Sequence, residues 1–326
     1  MATRFSFEVC ILTYNRAELL RQALDALSAQ TDGNFEVSVY DNASRDETPQ
    51  TVESFRGKFG ARLRYVRHGE NIGADANFHS AVSGAKCDYT MFMHDDDLPN
   101  PRFVEYARAA IEKFGDVALL SSNYSEEAIS PDSIVQWEQP ERRAYVFGDR
   151  RKFAAFVFCA GRALYSSAVY RTADLKKYNR PNIYGKIGDI PVLIDAAAGG
   201  KTVVLSDKNI YKYRIHAGQD SCTLANGIRR EEIVNRIRLF RDVLTSGSLK
   251  YKFAYGICYA ENYYKLLKCA GMDDAAKRGF FKSLGREDGA GAMAKIYALP
   301  LVGAAMRGVL RFLFFSRAII WVPRKF

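Results

Sequence analysis

The feature that most constrains this chain is an alternation of strand-length apolar runs with helix-period segments across the first ~120 residues, each run ending in a polar motif. Phe7–Leu12 is an apolar run followed by Thr13-Tyr14-Asn15. The next segment carries Leu19, Leu20, Ala23, Leu24 and Leu27 on one helical face, with Asn15 as the predicted cap and Glu18 placed as in a capping box. Phe35–Tyr40 ends at Asp41, and a polar turn, Asn42 to Asp46, leads into a helix with Val52, Phe55 and Phe59. Leu63–Val66 predicts a third strand and Ala74–Ser83 a helix. Tyr89–Met93 predicts a fourth strand running into His94-Asp95-Asp96-Asp97, followed by a helix from Pro101 and a strand at Val117–Ser121. Strands and helices at this spacing predict a mostly parallel α/β sheet covered on both faces. Such sheets bind ligands at the carboxyl ends of their strands, where these polar motifs fall.

Beyond that region, Glu126–Asp149 reads as a connecting loop or lid, Asp189–Ala198 as a helix, and Val203–Ile215 as a strand or hairpin. After about Asn226 the pattern is helical, at Ile228–Leu244, Tyr251–Leu267, Asp274–Leu284 and Ala292–Ile320. The expected division is therefore a domain over 1–225, with a nucleotide-binding half near 1–123 and an acceptor half near 124–225, and a helical extension over 226–326. The six cysteines are scattered without a CxxC pair, which argues for buried free thiols in a reducing compartment. Met1–Ser6 does not resemble a signal peptide, so the expectation is a cytoplasmic protein.

Three adjacent carboxylates at a strand end repel one another unless a cation joins them, and hard oxygen ligands suit Mg²⁺ or Mn²⁺. The alternative is a solvated acidic turn or a cap for the following helix. Thr13 to Arg16, Asp41 to Ser44, and Glu70 to Gly73 with Asp75 and Asn77 lie at neighbouring strand ends. Each alone reads more often as an ordinary Asx turn or cap; together on one sheet edge they predict a nucleotide pocket. No GxGxxG follows the first strand and no GxxxxGK[ST] occurs, which argues against a dinucleotide fold or a P-loop.

The segments Val9 to Arg16, Val39 to Thr48, Asn71-Ile72-Gly73 and His94 to Asp97 resemble, in that order, the motifs of family 2 glycosyltransferases. The resemblance covers roughly Phe7 to Thr223. It implies a GT-A fold, inverting transfer, a nucleotide-sugar donor (a uridine nucleotide on family frequency), and a Mn²⁺ or Mg²⁺ cofactor. Carried over by position, Thr13, Asn15, Arg16, Asp41, Asn71, Gly73 and Asp75 would contact the nucleotide. Asp95, Asp96 and Asp97 would supply the DxD function toward ribose and metal. His94 falls where many relatives carry the first aspartate of DxD, so which two of the three act is left open. Asp189, opening the Gly188 to Leu193 segment, resembles the family's catalytic base, and the helix dipole would stabilise its anion. His216 resembles a metal ligand, and Arg214 a residue facing the phosphates.

The formal charge of +10 calls for an anionic partner, and the chain from Gly271 onward carries ten Lys/Arg against four Asp/Glu. Nucleic acid is disfavoured because no aromatic–basic stacking motif accompanies that charge. From Val302 a helix would set Arg307 and Arg311 opposite Val302, Met306, Val309 and Leu313, as in an in-plane helix binding anionic headgroups. The combined expectation is an enzyme of surface polysaccharide biosynthesis acting on a glycan or lipid-linked glycan, peripheral on the inner face of the cell membrane. The competing readings are an inactive nucleotide- or glycan-binding module on the same fold and a nucleotidyltransferase.

Overall fold

The computed structural model describes residues 5–129, 136–138, 143–159, 163–178, 180–219, 226–245, 249–268, 305, 308–309 and 319–320. In chain order, the first half comprises β1 (Phe7–Thr13), α1 (Ala17–Ser28), β2 (Glu36–Asp41), α2 (Thr48–Ser54), α3 (Arg56–Phe59), β3 (Leu63–Arg67), α4 (Ala74–Gly84), β4 (Tyr89–His94), β5 (Leu98–Pro99), α5 (Phe103–Phe114) and β6 (Val117–Ser122). The second half comprises β7 (Ser125–Ala128), β8 (Arg143–Phe147), α6 (Arg150–Cys159), β9 (Val169–Arg171), α7 (Thr172–Tyr178), α8 (Asp189–Ala196), β10 (Lys201–Leu205), β11 (Tyr211–Ile215), α9 (Asn226–Leu244), α10 (Leu249–Lys268) and β12 (Ile319–Ile320).

Nine strands form one sheet in the order β12-β8-β10-β6-β9-β4-β1-β2-β3. Only β8 and β9 run against the others, so the sheet is mostly parallel as expected. Period-two alternation explains why the strands read as continuous apolar runs: both faces are covered. Val9, Ile11, Met91 and Met93 point into a core with α1 and α5, while Cys10 and Phe92 point to the opposite face, under α4, α6 and α8. Cys10 and Cys87 are buried free thiols. A third apolar cluster joins Ile187, Ile190 and Ile194 to Ile237, Phe240, Val243, Tyr251 and Ala254, and so crosses residue 225.

Three local expectations change. Asn15 does not cap α1; its backbone is left-handed (φ +52°) and its Oδ1 accepts from the Arg45 N–H at 2.7 Å. The Ala17 N–H donates instead to Asp46 Oδ2 at 2.9 Å, and Glu18 pairs with Arg21. Helix α1 is held mainly by packing: Leu20, Leu24 and Leu27 are buried, and at about 1.5–3 kcal/mol each they outweigh a cap worth ~1 kcal/mol. The 126–149 segment is not wholly a loop, since β7 joins a small sheet and β8 pairs with β10. The 203–215 segment is not a hairpin. Asp207 caps a turn over Lys208–Ile210 through the Asn209 N–H (2.8 Å), sending β10 into the large sheet and β11 into a second sheet, β5-β11-β7.

No helix among the described residues is long and apolar enough to cross a membrane. The predicted helix over 274–284 and most of the tail lie outside the described residues. At the tail's end Ile319–Ile320 is a strand paired with β8, rather than the close of an amphipathic helix.

Candidate functional site

Parallel register assembles the site. Thr13 pairs with Asp41 and Leu12 with His94, so the polar ends of β1, β2 and β4 lie side by side. The loops beyond them are stitched together by side chains. The Asn15 N–H donates to Ser44 Oγ at 2.8 Å. Asn42 Nδ2 donates to Asn71 Oδ1 (2.9 Å), and the Ile72 N–H donates to Asn42 Oδ1 (2.9 Å). Gly73 enters α4 at φ +84° and ψ 157°, a conformation close to glycine-only. Nothing lies within 4 Å of the position a Cβ would take, so the constraint there is conformational rather than steric. Gly73→Ala should therefore cost about 1–3 kcal/mol, read as a lower thermal unfolding midpoint with the core packing unchanged.

The aspartate triplet is buried, with Asp95, Asp96 and Asp97 at 2%, 3% and 0% exposure. Thr13 Oγ1 donates to Asp95 Oδ2 at 2.7 Å. Ser166 Oγ donates to Asp97 Oδ2 at 2.5 Å, and the Arg214 N–H donates to Asp97 Oδ1 at 3.1 Å. Asp96 is held differently. Its Oδ2 meets Arg16 Nη1 (3.2 Å) and His216 Nε2 (3.1 Å), while its buried Oδ1 has no hydrogen-bond partner among the described residues. Burial first, and the Asp96 charge second, push Asp95 up to about 6 and Asp97 up to about 7. Ligand atoms of His94, Asp96 and Asp97 lie within 4.8 Å of one another. His94 is thus a potential ligand that the sequence flagged only by its place in the DxD register, while Asp95 faces Thr13 and Arg16.

A cleft of ≈ 1310 Å³ opens over these strand ends. Of the residues expected at the site, Thr13, Arg16, Asn71, Gly73, Asp75, Asp95, Asp96 and Asp189 line it; Asn15, Asp41, Asp97, Arg214 and His216 do not. Asp41 is fully buried, accepting from Tyr65 Oη (2.5 Å) and the Ser44 N–H (2.8 Å). Arg214 lies beneath the triplet, with its guanidinium on the Asp96 carbonyl and Gln22. Burial lowers its pKa against the pull of Asp96 and Asp97. His216 reaches Asp96 from behind the cleft wall because β11 pairs with β5, next to the triplet.

Asp189 is the first residue of α8, and no side chain among the described residues caps that helix. It is exposed to the cleft, yet the surrounding walls shield it enough to raise its carboxyl above the ordinary range, with Arg236 pulling the other way. The far wall comes from residues that no local motif marked, among them Arg150, Tyr165, Tyr178, Arg180 and Tyr184, with Asp242 from α9. Tyr184 Oη donates to Asp242 Oδ2 at 2.9 Å, which ties the 180–185 segment to α9.

The model of the family described as glycosyl transferase family 2 matches residues 8–173. The abequosyltransferase RfbV of Salmonella typhimurium is 37% identical over 90 residues, 27% of either chain. The poly(ribitol-phosphate) beta-N-acetylglucosaminyltransferase TarS of Staphylococcus aureus is 28% identical over 138 residues, 41% of this chain and 24% of that one. The matched part spans about a quarter of the length of these curated relatives. The crystal structure of S. aureus TarS 1–349 superposes with a TM-score of 0.61 at 20% identity, over 94% of this chain and 86% of that one. The mannosyltransferase PcManGT of Pyrobaculum calidifontis does so at 0.51 and 15%, over 97% and 89%. At these identities the likeness is one of fold, and it is the GT-A fold expected from the motifs. With the family model covering 166 of the 326 residues, including every strand that ends at the triplet, the chain belongs to glycosyl transferase family 2.

Proposed function

We propose that the protein is an inverting, divalent-metal-dependent glycosyltransferase that moves a sugar from a nucleotide-diphosphate donor, read as a UDP-sugar, to an acceptor hydroxyl. The observation that carries this reading is the presence of Asp189 in the same cleft as Thr13, Arg16, Asn71, Gly73, Asp75, Asp95 and Asp96. Candidate donor contacts and a candidate base, Asp96 and Asp189 being about 90 residues apart, share one cleft. That space exceeds the ~300–1,000 Å³ of an ordinary single-ligand pocket, which supports a site for two substrates.

In this reading Thr13, Asn71, Gly73 and Asp75 orient the nucleoside, with Asn15 and Asp41 supporting the loops beneath it. Arg16, rather than Arg214, faces the diphosphate, because Arg16 lines the cleft. Asp189 takes the acceptor proton as the hydroxyl attacks the anomeric carbon from the face opposite the diphosphate. The far wall of Tyr178, Arg180, Tyr184 and Asp242 receives the acceptor, a glycan or lipid-linked glycan of surface polysaccharide synthesis.

The site suits a divalent cation. A buried carboxylate oxygen without a partner, two neighbouring carboxylates with raised pKa and a nearby imidazole together make a hard O/N donor set. His94, Asp96 and Asp97 would hold Mn²⁺ or Mg²⁺, with Asp95 and His216 adjoining. Such an ion, when bound, offsets the negative charge of the leaving diphosphate. Solved neighbours support both ligands: S. aureus TarS 1–349 in complex with UDP-GlcNAc, and PcManGT in complex with GDP-Man and Mn²⁺. The basic tail, with Arg307, Arg311 and Arg317, is read as the contact to an anionic membrane surface.

The test is a thermal-shift screen of nucleotide-sugars with and without Mn²⁺. A uridine donor that raises the unfolding midpoint only with the ion is expected. Stabilisation independent of both base and ion would sink the reading.

A further inference from the structure

The three carboxylates of the triplet are not held alike. Asp95 is anchored by the Thr13 hydroxyl, and Asp97 by the Ser166 hydroxyl and a backbone N–H. Among the described residues Asp96 has only side-chain partners on one oxygen and none on the other. One of those partners, Arg16, holds the carboxylates only at long range. Its Nη1 spans Asp95 Oδ1 at 3.3 Å and Asp96 Oδ2 at 3.2 Å, longer than the ~2.7–2.9 Å of a tight charge-assisted pair. Its Nη2 donates to the Gly218 carbonyl at 2.9 Å. The side chain keeps 29% exposure and lines the cleft, so it can reach cleft space without disturbing the core.

We propose that Arg16 is an exchangeable counter-cation that competes with a divalent ion for Asp96 and, displaced from it, binds the donor's diphosphate. This rests on the metal-dependent reading above. A planar guanidinium is suited to both partners, since carboxylate and phosphate oxygens match its fork alike. The consequence is coupling. Arg16, released from Asp96 where an ion is bound, would be free for the diphosphate, so ion and nucleotide would each favour the other, and the effect would be reciprocal. Asp95 and Asp97 keep their hydroxyl partners throughout, which makes Asp96 the carboxylate where the exchange occurs.

Arg16 is thus a positioning residue, and its signature is a pair of effects of opposite sign. Arg16→Gln keeps a polar side chain of similar reach and removes the competing charge. In calorimetric titrations and Mn²⁺ electron paramagnetic resonance, the full-length variant should bind Mn²⁺ alone about tenfold more tightly. It should bind UDP in saturating Mn²⁺ about tenfold more weakly. A residue that merely supported the loop would weaken both. Arg16→Lys, which keeps the charge but loses the fork, should tighten Mn²⁺ by about threefold and carries the test if the glutamine variant does not fold. Mn²⁺ affinity unchanged or weakened in a folded variant would overturn the proposal. Failure of wild type and variant alike to bind Mn²⁺, even with UDP present, would overturn the metal-dependent reading and this proposal with it.

Discussion

Asp189→Asn is expected to lower glycosyl transfer by about 10²–10⁴-fold while leaving donor affinity within about twofold. The amide preserves the shape of the side chain and cannot accept the acceptor's proton. The proposed donor contacts sit at the ends of β1, β2 and β4, on elements that the substitution does not touch. The pH profile offers an independent check. Shielding in the cleft raises the Asp189 pKa, so wild-type activity should fall on the acid side above the ordinary carboxylate value of about 3.9. A variant with transfer within about tenfold of wild type would remove Asp189 from the role of base. A variant that lost UDP binding in parallel would make it a donor contact instead.

Asp96→Asn is expected to abolish the Mn²⁺ dependence of UDP binding and to cost at least about 100-fold in transfer, the several kcal/mol of charge stabilisation that a metal supplies. The amide can still accept from Arg16 and His216, so the packing around it should hold. The variant also has a pH signature. Asp95 and Asp97 stand at about 6 and about 7, above their values in the unfolded chain. The folded metal-free protein therefore binds more protons than the unfolded one, and its stability falls as pH rises through 6–7. Mn²⁺ bound at the proposed site would have to displace those protons, so its affinity should rise with pH up to about 7 and then level off. Removing the Asp96 charge lowers the other two pKa values and moves both transitions to lower pH. Unfolding midpoints of the two proteins, measured with and without Mn²⁺ between pH 5 and 8, would check this; identical profiles would exclude Asp96 as the central charge of the site.

Much of the N-terminal half was legible because its signals are local. A run such as Val9 to Leu12 buries both faces of a parallel strand, and the residue that follows a strand must face the sheet's carboxyl edge. The Thr13, Asp41 and His94 positions therefore follow from the sequence alone. Which side chain performs which task was not local. Asn15 and Asp46 both sit in loops with capping chemistry, and the approach of the β2–α2 turn to α1 gave the cap to Asp46. Asp41 and Arg214 carry the right groups in the right motifs, yet Tyr65 and Gln22 hold them below the cleft floor.

By itself, then, the sequence determined the parallel sheet, the polar strand ends and the acidic triplet, because periods of two and 3.6 residues and strand-terminal polarity are properties of short segments. Tertiary structure alone decided that Asp189 opens onto the same cleft, that Arg16 rather than Arg214 borders it, and that the far wall is closed by α9. The physical reason is that the placements of Asp189 and α9 depend on Ile190, Ile194, Ile237 and Phe240 joining one apolar cluster, and that of Arg214 on β11 pairing beside the triplet. That burial is apolar and non-directional, so the apolar residues that contribute to it carry no mark of the polar cleft they help to create.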